Sequence, residues 1–222
     1  MSTSNVGSHT LGSHPPASAR EGAISKRRAA TRDRLVEAAG EVFAERGVHG
    51  ASVEDICDRA DFTRGAFYSN FSSKEELVLE IAGRYSGRLL DAIAPLADDP
   101  ALAPDAIIAA VLDEWAADRR ERERWFLLHS EFTLHAIRDP EAGRGWGEQQ
   151  AGVRDALAAL IERICERRGL VLTVPSQDLA AAAMALFLAG TSQHLLTPEA
   201  VADGALARRF LPMLVDAVAR GR

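Results

Sequence analysis

SVEDICDRADFTRGAFYSNF, residues 52–71, is the stretch from which the rest of the chain is read. Ser52 with Asp55 three places on makes a capping box. Val53, Ile56, Cys57 and Ala60 follow at helical spacing, so a helix of barely two turns starts after Ser52. The chain turns at Asp61-Phe62-Thr63, and Thr63 can cap a second short helix carrying Gly65, Phe67, Tyr68 and Phe71. Packing Phe62, Phe67 and Phe71 inward with the first set leaves Arg64, Gly65, Ala66, Tyr68, Ser69 and Asn70 mostly outward. Two short helices joined by a tight turn, the second small at its exposed start, can enter a major groove about 12 Å wide. Gly65 has no side chain to hold that start away from the bases. The helix starts near Ser52 and Thr63, and Lys74 at the next start, would bring free backbone N–H groups and positive charge to phosphates. The same pattern also describes a helical hairpin that does nothing but pack.

Outward from this unit the chain reads as almost entirely helical, because Ala and Leu dominate, apolar residues recur at three and four, and no window alternates with period two. Upstream, Thr31 to Arg46 puts Leu35, Ala39, Val42 and Phe43 on one face, with Val48 past the end, and Gly47 stops the helix. That face is the one against which the 52–71 unit packs. Downstream, Ser73-Lys74-Glu75-Glu76 is a second capping box, opening a longer helix with Leu77, Ile81, Tyr85, Leu89 and Ile93 as its stripe. Pro95, Pro100 and Pro104 mark a boundary loop. Five more helices follow at about 104–118, 121–138, 144–168, 176–195 and 199–219, with Pro212 expected to kink or split the last. No strand is needed and no internal repeat is present.

The 222 residues, 47% hydrophobic and 26% charged, suffice for a sizeable core. Apolar stretches, the best being Leu179 to Gly190, are interrupted by charge before the roughly 20 residues a bilayer span needs. Met1 to Arg20 lacks the apolar middle of a secretory signal, so a cytoplasmic location is expected. Cys57 and Cys165 match no metal-ligand spacing and are expected as buried free thiols. The net charge of −6 argues against a protein that coats nucleic acid by bulk attraction. Its distribution says more: residues 1–74 hold ten basic and nine acidic side chains, and residues 75–222 sixteen and twenty-three. Arg20, Lys26, Arg27, Arg28, Arg32 and Arg34 concentrate positive charge at the entry to the first helix, where a solvated disordered tail is the alternative reading.

The run from Thr31 to Leu77 resembles the TetR family of transcriptional regulators. The residues that carry the likeness are Val42-Phe43-Ala44-Glu45-Arg46-Gly47, Ser52-Val53-Glu54-Asp55-Ile56, Ala60, Thr63-Arg64-Gly65-Ala66-Phe67-Tyr68, Phe71 and Lys74-Glu75-Glu76-Leu77. The resemblance implies a three-helix DNA-binding domain, a variable helical ligand domain, and a homodimer whose two recognition helices read a palindromic operator in double-stranded DNA. Arg64, Gly65, Ser69 and Asn70 fall on positions that face bases or the adjacent backbone in the family, and Ser52, Thr63, Tyr68 and Lys74 on its phosphate-contacting positions. Arg28, in the basic entry, joins them as a DNA-binding candidate. The turn departs from the family, which commonly has Gly and a small aliphatic residue where this chain has Asp61-Phe62; Asp tolerates a left-handed turn better than most residues. The expected architecture is therefore all-α with about nine helices: a disordered tail (1–25), a helix-turn-helix DNA-binding domain (26–76), and a ligand-binding and dimerisation domain (77–222).

In the second domain Trp125, His129 and Phe132 share one helical face. With Trp115 from the preceding helix and Met184 and Phe187 from the penultimate one they could line an apolar pocket for a small hydrophobic or aromatic effector; an ordinary aromatic core with a buried, hydrogen-bonded His129 is the alternative. Glu131 and His135 stand four apart, but no third metal ligand is evident. His129-Ser130-Glu131 has the residue types of a hydrolase triad, yet consecutive helix positions point about 100° apart. No catalytic residue, metal or cofactor is assigned. The Ala-rich last two helices permit close approach and, by the resemblance, form the dimer interface. The reading is a ligand-responsive dimeric regulator, a repressor by family habit. A small-molecule-binding protein without a DNA role and a helical enzyme are the alternatives.

Overall fold

Helix starts earlier than the apolar pattern suggests. The computed structural model describes residues 17–99 and 101–221, and its first helix, α1, spans Ala17–Gly50. Residues 1–16 of the expected tail lie outside the described residues, whereas 17–25 are part of α1 and not a disordered segment, in keeping with the helix propensity of the Ala and Glu they contain. The break comes where the sequence puts it. Gly47 has φ +73° and ψ 165°, a backbone region open almost only to glycine, and residues 48–50 add one more turn beyond it.

The next elements follow the capping signals closely. Helix α2 (Val53–Ala60) opens on a complete Ser52/Asp55 capping box, and α3 (Arg64–Tyr68) on the Thr63 hydroxyl, which accepts from the Ala66 N–H at 3.2 Å. Between them Asp61 is left-handed at φ 57°, and the Phe62 N–H closes back on the Cys57 carbonyl at 2.9 Å, a Schellman-type end reached without glycine. Helix α4 (Lys74–Asp98) differs from the expected box in its return bond. Ser73 caps the Glu76 N–H, but the Glu76 carboxylate reaches one residue further back, to the Ser72 N–H at 2.7 Å and the Ser72 hydroxyl at 2.8 Å.

The body consists of α4, α5 (Pro104–Ala116), α6 (Arg119–Arg138), α7 (Pro140–Arg167), α8 (Ser176–Leu196) and α9 (Ala205–Val218). Four expectations change. Pro95 lies inside α4 and not in a loop. Helix α7 starts at Pro140, whose missing N–H costs nothing at a first helical position, with Asp139 capping it. Helix α9 starts only after the left-handed Gly204, and Pro212 lies within it without interrupting it. Finally, two three-residue strands exist where none was expected: β1 (Leu170–Leu172) pairs antiparallel with β2 (Ala219–Gly221), Val171 opposite Arg220. They follow the left-handed turn at Gly169 and the end of α9, so each forms only when its partner is present.

Helix α8 is also more apolar than the sequence reading allowed; over Ser176–Leu196 it is long and apolar enough to cross a membrane. In the fold it packs between α7 and α9. Helix α4 carries one continuous core across the expected 76/77 boundary. Leu35, Phe43, Ile56, Phe67, Phe71 and Leu77 belong to the same buried cluster as Trp125, Phe132 and Trp146 of the body.

Candidate nucleic-acid interface

The face of α3 is set by what lies beneath it. Phe67 and Phe71 are buried against Leu35, Val42 and Phe43 of α1 and Ile56 of α2, which turns Arg64, Gly65, Tyr68 and Ser69 outward. Tyr68 is 51% exposed, a large ring left facing water. A Cβ added at Gly65 would find the Thr63 hydroxyl nearest, at 3.7 Å, so this is an open place where a second backbone can approach. Arg64 pairs with Glu54 of α2 at 2.6 Å, both well exposed, and its guanidinium is held charged by the Tyr68 hydroxyl first and by Glu54 second. An exposed pair of this kind is weak and exchanges readily for a phosphate or base.

The other expected contact residues have partners inside the protein. The Ser69 hydroxyl and the Asn70 amide both donate to the Ala66 carbonyl, at 2.9 and 2.8 Å, folding back along α3, and the Asn70 Oδ1 is buried without a partner. The Ser52 and Thr63 side chains serve as helix caps. Asp55 is kept well below the usual carboxylate range, first by its bonds from Ser52 and then by Arg46. The Lys74 ammonium donates to the carbonyls of Val48 and Ala51 at 3.0 and 2.7 Å, holding the α1–α2 connection. Arg28 donates to the Ser69 carbonyl at 3.3 Å, on the edge of the same face.

Two arginines of the basic run have structural roles that sequence reasoning missed. Arg32 donates to the Asn70 carbonyl at 2.6 Å and to Glu80 at 2.8 Å while stacking on Phe71. Arg34 donates to the Ala60 carbonyl at 2.7 Å over the Phe62 ring. Each places a cation at the carbonyl end of a short helix, where the helix dipole favours it. Their spacing in the sequence gives no hint of this, because every partner lies more than twenty residues away.

The chain from Leu35 to Ile81 matches the family of bacterial regulatory proteins described as the tetR family, over residues 35–81. The amino-terminal domain is a TetR domain. Two curated relatives share it. The chain is 28% identical over 132 residues to the HTH-type transcriptional repressor AcnR of Corynebacterium diphtheriae, covering 60% of this chain and 64% of that one. It is 40% identical over 62 residues to the HTH-type transcriptional activator FasR of Mycolicibacterium smegmatis, covering 28% of each. The alignments thus reach less than two thirds of either relative's length. Beyond the TetR domain the likeness is one of fold. A TetR-family transcriptional regulator from Agrobacterium tumefaciens superposes with a TM-score of 0.64 at 20% identity, over 84% of this chain and 98% of that one.

The TetR domain is joined to the body by more than apolar packing. The Glu131 carboxylate of α6 accepts the Val48 N–H at 2.7 Å and lies against Gly47, where a Cβ would meet it at 2.8 Å. His135, one turn on, meets His49 edge to face at 5.1 Å. Glu131 and His135 are therefore occupied at this joint, and among the described residues no group of three or more His, Cys, Asp and Glu side chains could hold a metal. His129 points elsewhere, into the body, so the 129–131 triplet does not converge.

Inside the body an apolar cavity of about 240 Å³ lies between α4, α5, α6, α7, α8 and α9. Trp115, Trp125, His129, Met184 and Phe187 line it. Phe132 does not; it lies on the same face one turn further along α6, fully buried against Trp146, which also meets His129. Sequence reasoning missed Tyr85, Gln150 and the aliphatic lining of α7, although Val153, Leu157, Leu160, Ile161 and Ile164 recur at helical spacing. Tyr85 stacks on Trp125 at 4.4 Å and meets Trp115 edge to face, and Trp115 meets Phe187. Burial pushes the Tyr85 hydroxyl far up, so it remains a proton donor. Burial also lowers His129 below its ordinary value, against a weaker opposing bond from Gln150.

Proposed function

We propose that the protein is a cytoplasmic DNA-binding transcriptional regulator, a homodimer whose two α3 helices enter successive major grooves of a palindromic operator about 34–36 Å apart. The observation that carries this is the exposed Arg64, Gly65 and Tyr68 face on a TetR domain held rigid by Arg32, Arg34 and Lys74. Arg64, Gly65, Ser69 and Asn70 are assigned to bases or the adjacent backbone, Ser52, Thr63, Tyr68 and Lys74 to phosphates, and Arg28 to DNA from the edge of the same face; on this reading the Ser69, Asn70 and Lys74 side chains exchange their partners within the protein for DNA. Exposed Leu196 of α8 and Phe210 and Met213 of α9 supply apolar area for a dimer built from the last two helices.

A small hydrophobic or aromatic effector in the body cavity favours a dimer geometry with a different helix spacing, and so weakens the DNA complex by its differential affinity for the two states. Repression is the assigned sign, as in the relative named a repressor. Selection of random duplex DNA on the purified protein, followed by sequencing, tests the reading. A recovered palindrome with half-sites one helical turn apart supports it. A folded dimer that enriches no sequence refutes it and leaves a small-molecule-binding protein.

A further inference from the structure

The cavity has a direction. Helices α4 and α7 run parallel along it, since the Gly83 position faces Gln149 and Ile93 packs on Leu160. Along α7 the lining extends from Gln150 to Cys165, about 22 Å at 1.5 Å per residue. A cavity of about 240 Å³ drawn out over that length is a tube and not a bowl. Its two ends differ in chemistry. Tyr85, Trp115, Trp125, His129 and Gln150 gather at one end, and only aliphatic residues and Cys165 surround the other, where β1 contributes Leu170 and Leu172.

The polar end carries no charge. Among the described residues none that lines the cavity is Lys, Arg, Asp or Glu. The nearby Arg122 is 2% exposed and committed to Asp203 at 2.6 Å. The Trp115 indole N–H is buried without any partner in the protein. A buried donor left unsatisfied is unfavourable, and on a ring that lines the tube it is a place for an acceptor oxygen brought by a ligand.

We propose that the tube takes a single long aliphatic chain bearing one uncharged oxygen head group, with the chain toward β1 and the head between Trp115, Tyr85 and Gln150. This identifies the chemical class of the effector and rests on the ligand-responsive reading above. A carboxylate or ammonium head would be desolvated with no counter-charge, whereas a hydroxyl, ester or ketone oxygen accepts from the Trp115 N–H and the Tyr85 hydroxyl. Neutral His129 adds no charge to that end.

The full chain is titrated with 1-octanol, 1-decanol, 1-dodecanol and 1-tetradecanol and with carboxylates of equal length, read by tryptophan fluorescence and by thermal shift. Affinity for the alcohols should rise about fourfold per methylene, and each carboxylate should bind about 100-fold more weakly than its alcohol. Trp115→Phe should lower alcohol affinity about tenfold at every length by removing the head-group donor. Ile164→Trp, which plugs the aliphatic end, should abolish 1-tetradecanol binding and spare 1-octanol. Carboxylates binding as well as alcohols, or affinity independent of chain length, would overturn the inference, and both results come from the unmodified protein. The random-duplex selection, run without alcohol, separates the two failures: an enriched palindrome with no alcohol binding sinks only the effector class, and alcohol binding with no enriched DNA sinks only the regulator.

Discussion

Replacing Glu131 with leucine removes one charge-assisted hydrogen bond and leaves a buried donor behind. Val48 is 5% exposed, so its N–H cannot turn to water when the carboxylate at 2.7 Å is gone. A hydrogen bond to a charged group contributes about 1.5–3 kcal/mol, which sets the loss for Glu131→Leu at about 2 kcal/mol. For a chain of this size that is a fall in Tm of about 4–8 °C. Glu131→Gln keeps an acceptor oxygen but not the charge, and neutral bonds are about half as strong, so it should lose about 1 kcal/mol. Calorimetry of both variants at pH 7 measures the pair. The cavity lies on the other side of α6, so titration with 1-dodecanol should give the same affinity in all three proteins. The release of DNA by ligand should weaken in Glu131→Leu, because α6 then pulls less directly on the end of α1. A Tm within about 1 °C of the unmodified protein for Glu131→Leu would refute the assignment of this bond as the joint between domain and body.

Further outcomes follow from single contacts. Arg64→Ala should relax base preference at one operator position, whereas Tyr68→Phe should weaken binding to all sequences alike, measured by equilibrium titration on matched and mismatched duplexes. Asp61→Gly should be neutral to slightly stabilising and Asp61→Val destabilising by about 1–2 kcal/mol, since φ is 57° there; denaturant melts resolve the two. Asp203→Asn leaves the buried Arg122 guanidinium without its anion and should cost about 3 kcal/mol, while Arg122→Leu with Asp203→Asn should recover part of it in a double-mutant cycle. The lowered His129 pKa means that the unfolded chain binds more protons in the window below about 6.5. Stability should therefore fall as pH drops from there through the folded value, and His129→Gln should flatten that fall in Tm measured from pH 7 downward.

The parts of this protein that could be read from the sequence are those whose causes are local. Ser52, Thr63 and Ser73 cap helices through bonds to residues three places on, and Gly47 breaks α1 because of its own backbone freedom. The buried face of α1 and the outward face of α3 follow from helical spacing alone. What escaped depends on partners far along the chain. Lys74 has a free ammonium in the sequence and holds two carbonyls more than twenty residues away in the structure. Ser69 and Asn70 are outward by position, but their hydroxyl and amide compete for the Ala66 carbonyl, a choice periodicity cannot express. Phe132 shares the face of Trp125 and His129 by spacing, but the Trp146 ring lies against it and closes it off from the cavity, a partner that periodicity cannot supply. The β1–β2 pair has three residues a side and forty-odd residues between its strands, too little local signal for any window to find.

The core shared across α4 makes the head and the body one melting unit. Leu77, Val78 and Ala82 have no exposure at all, and they belong to the cluster that holds both Phe67 below and Trp125 above. A fragment ending at residue 76 would lose the floor on which α3 rests, so α3 has no stable form apart from the body and its cavity. Amide exchange in α2 and α3 should accordingly track global unfolding and not a separate opening of the head. An effector that tightens the tube then slows exchange in a helix it never touches, and occupancy of the chamber is legible in the protection of Phe67 and Phe71 before any DNA is added.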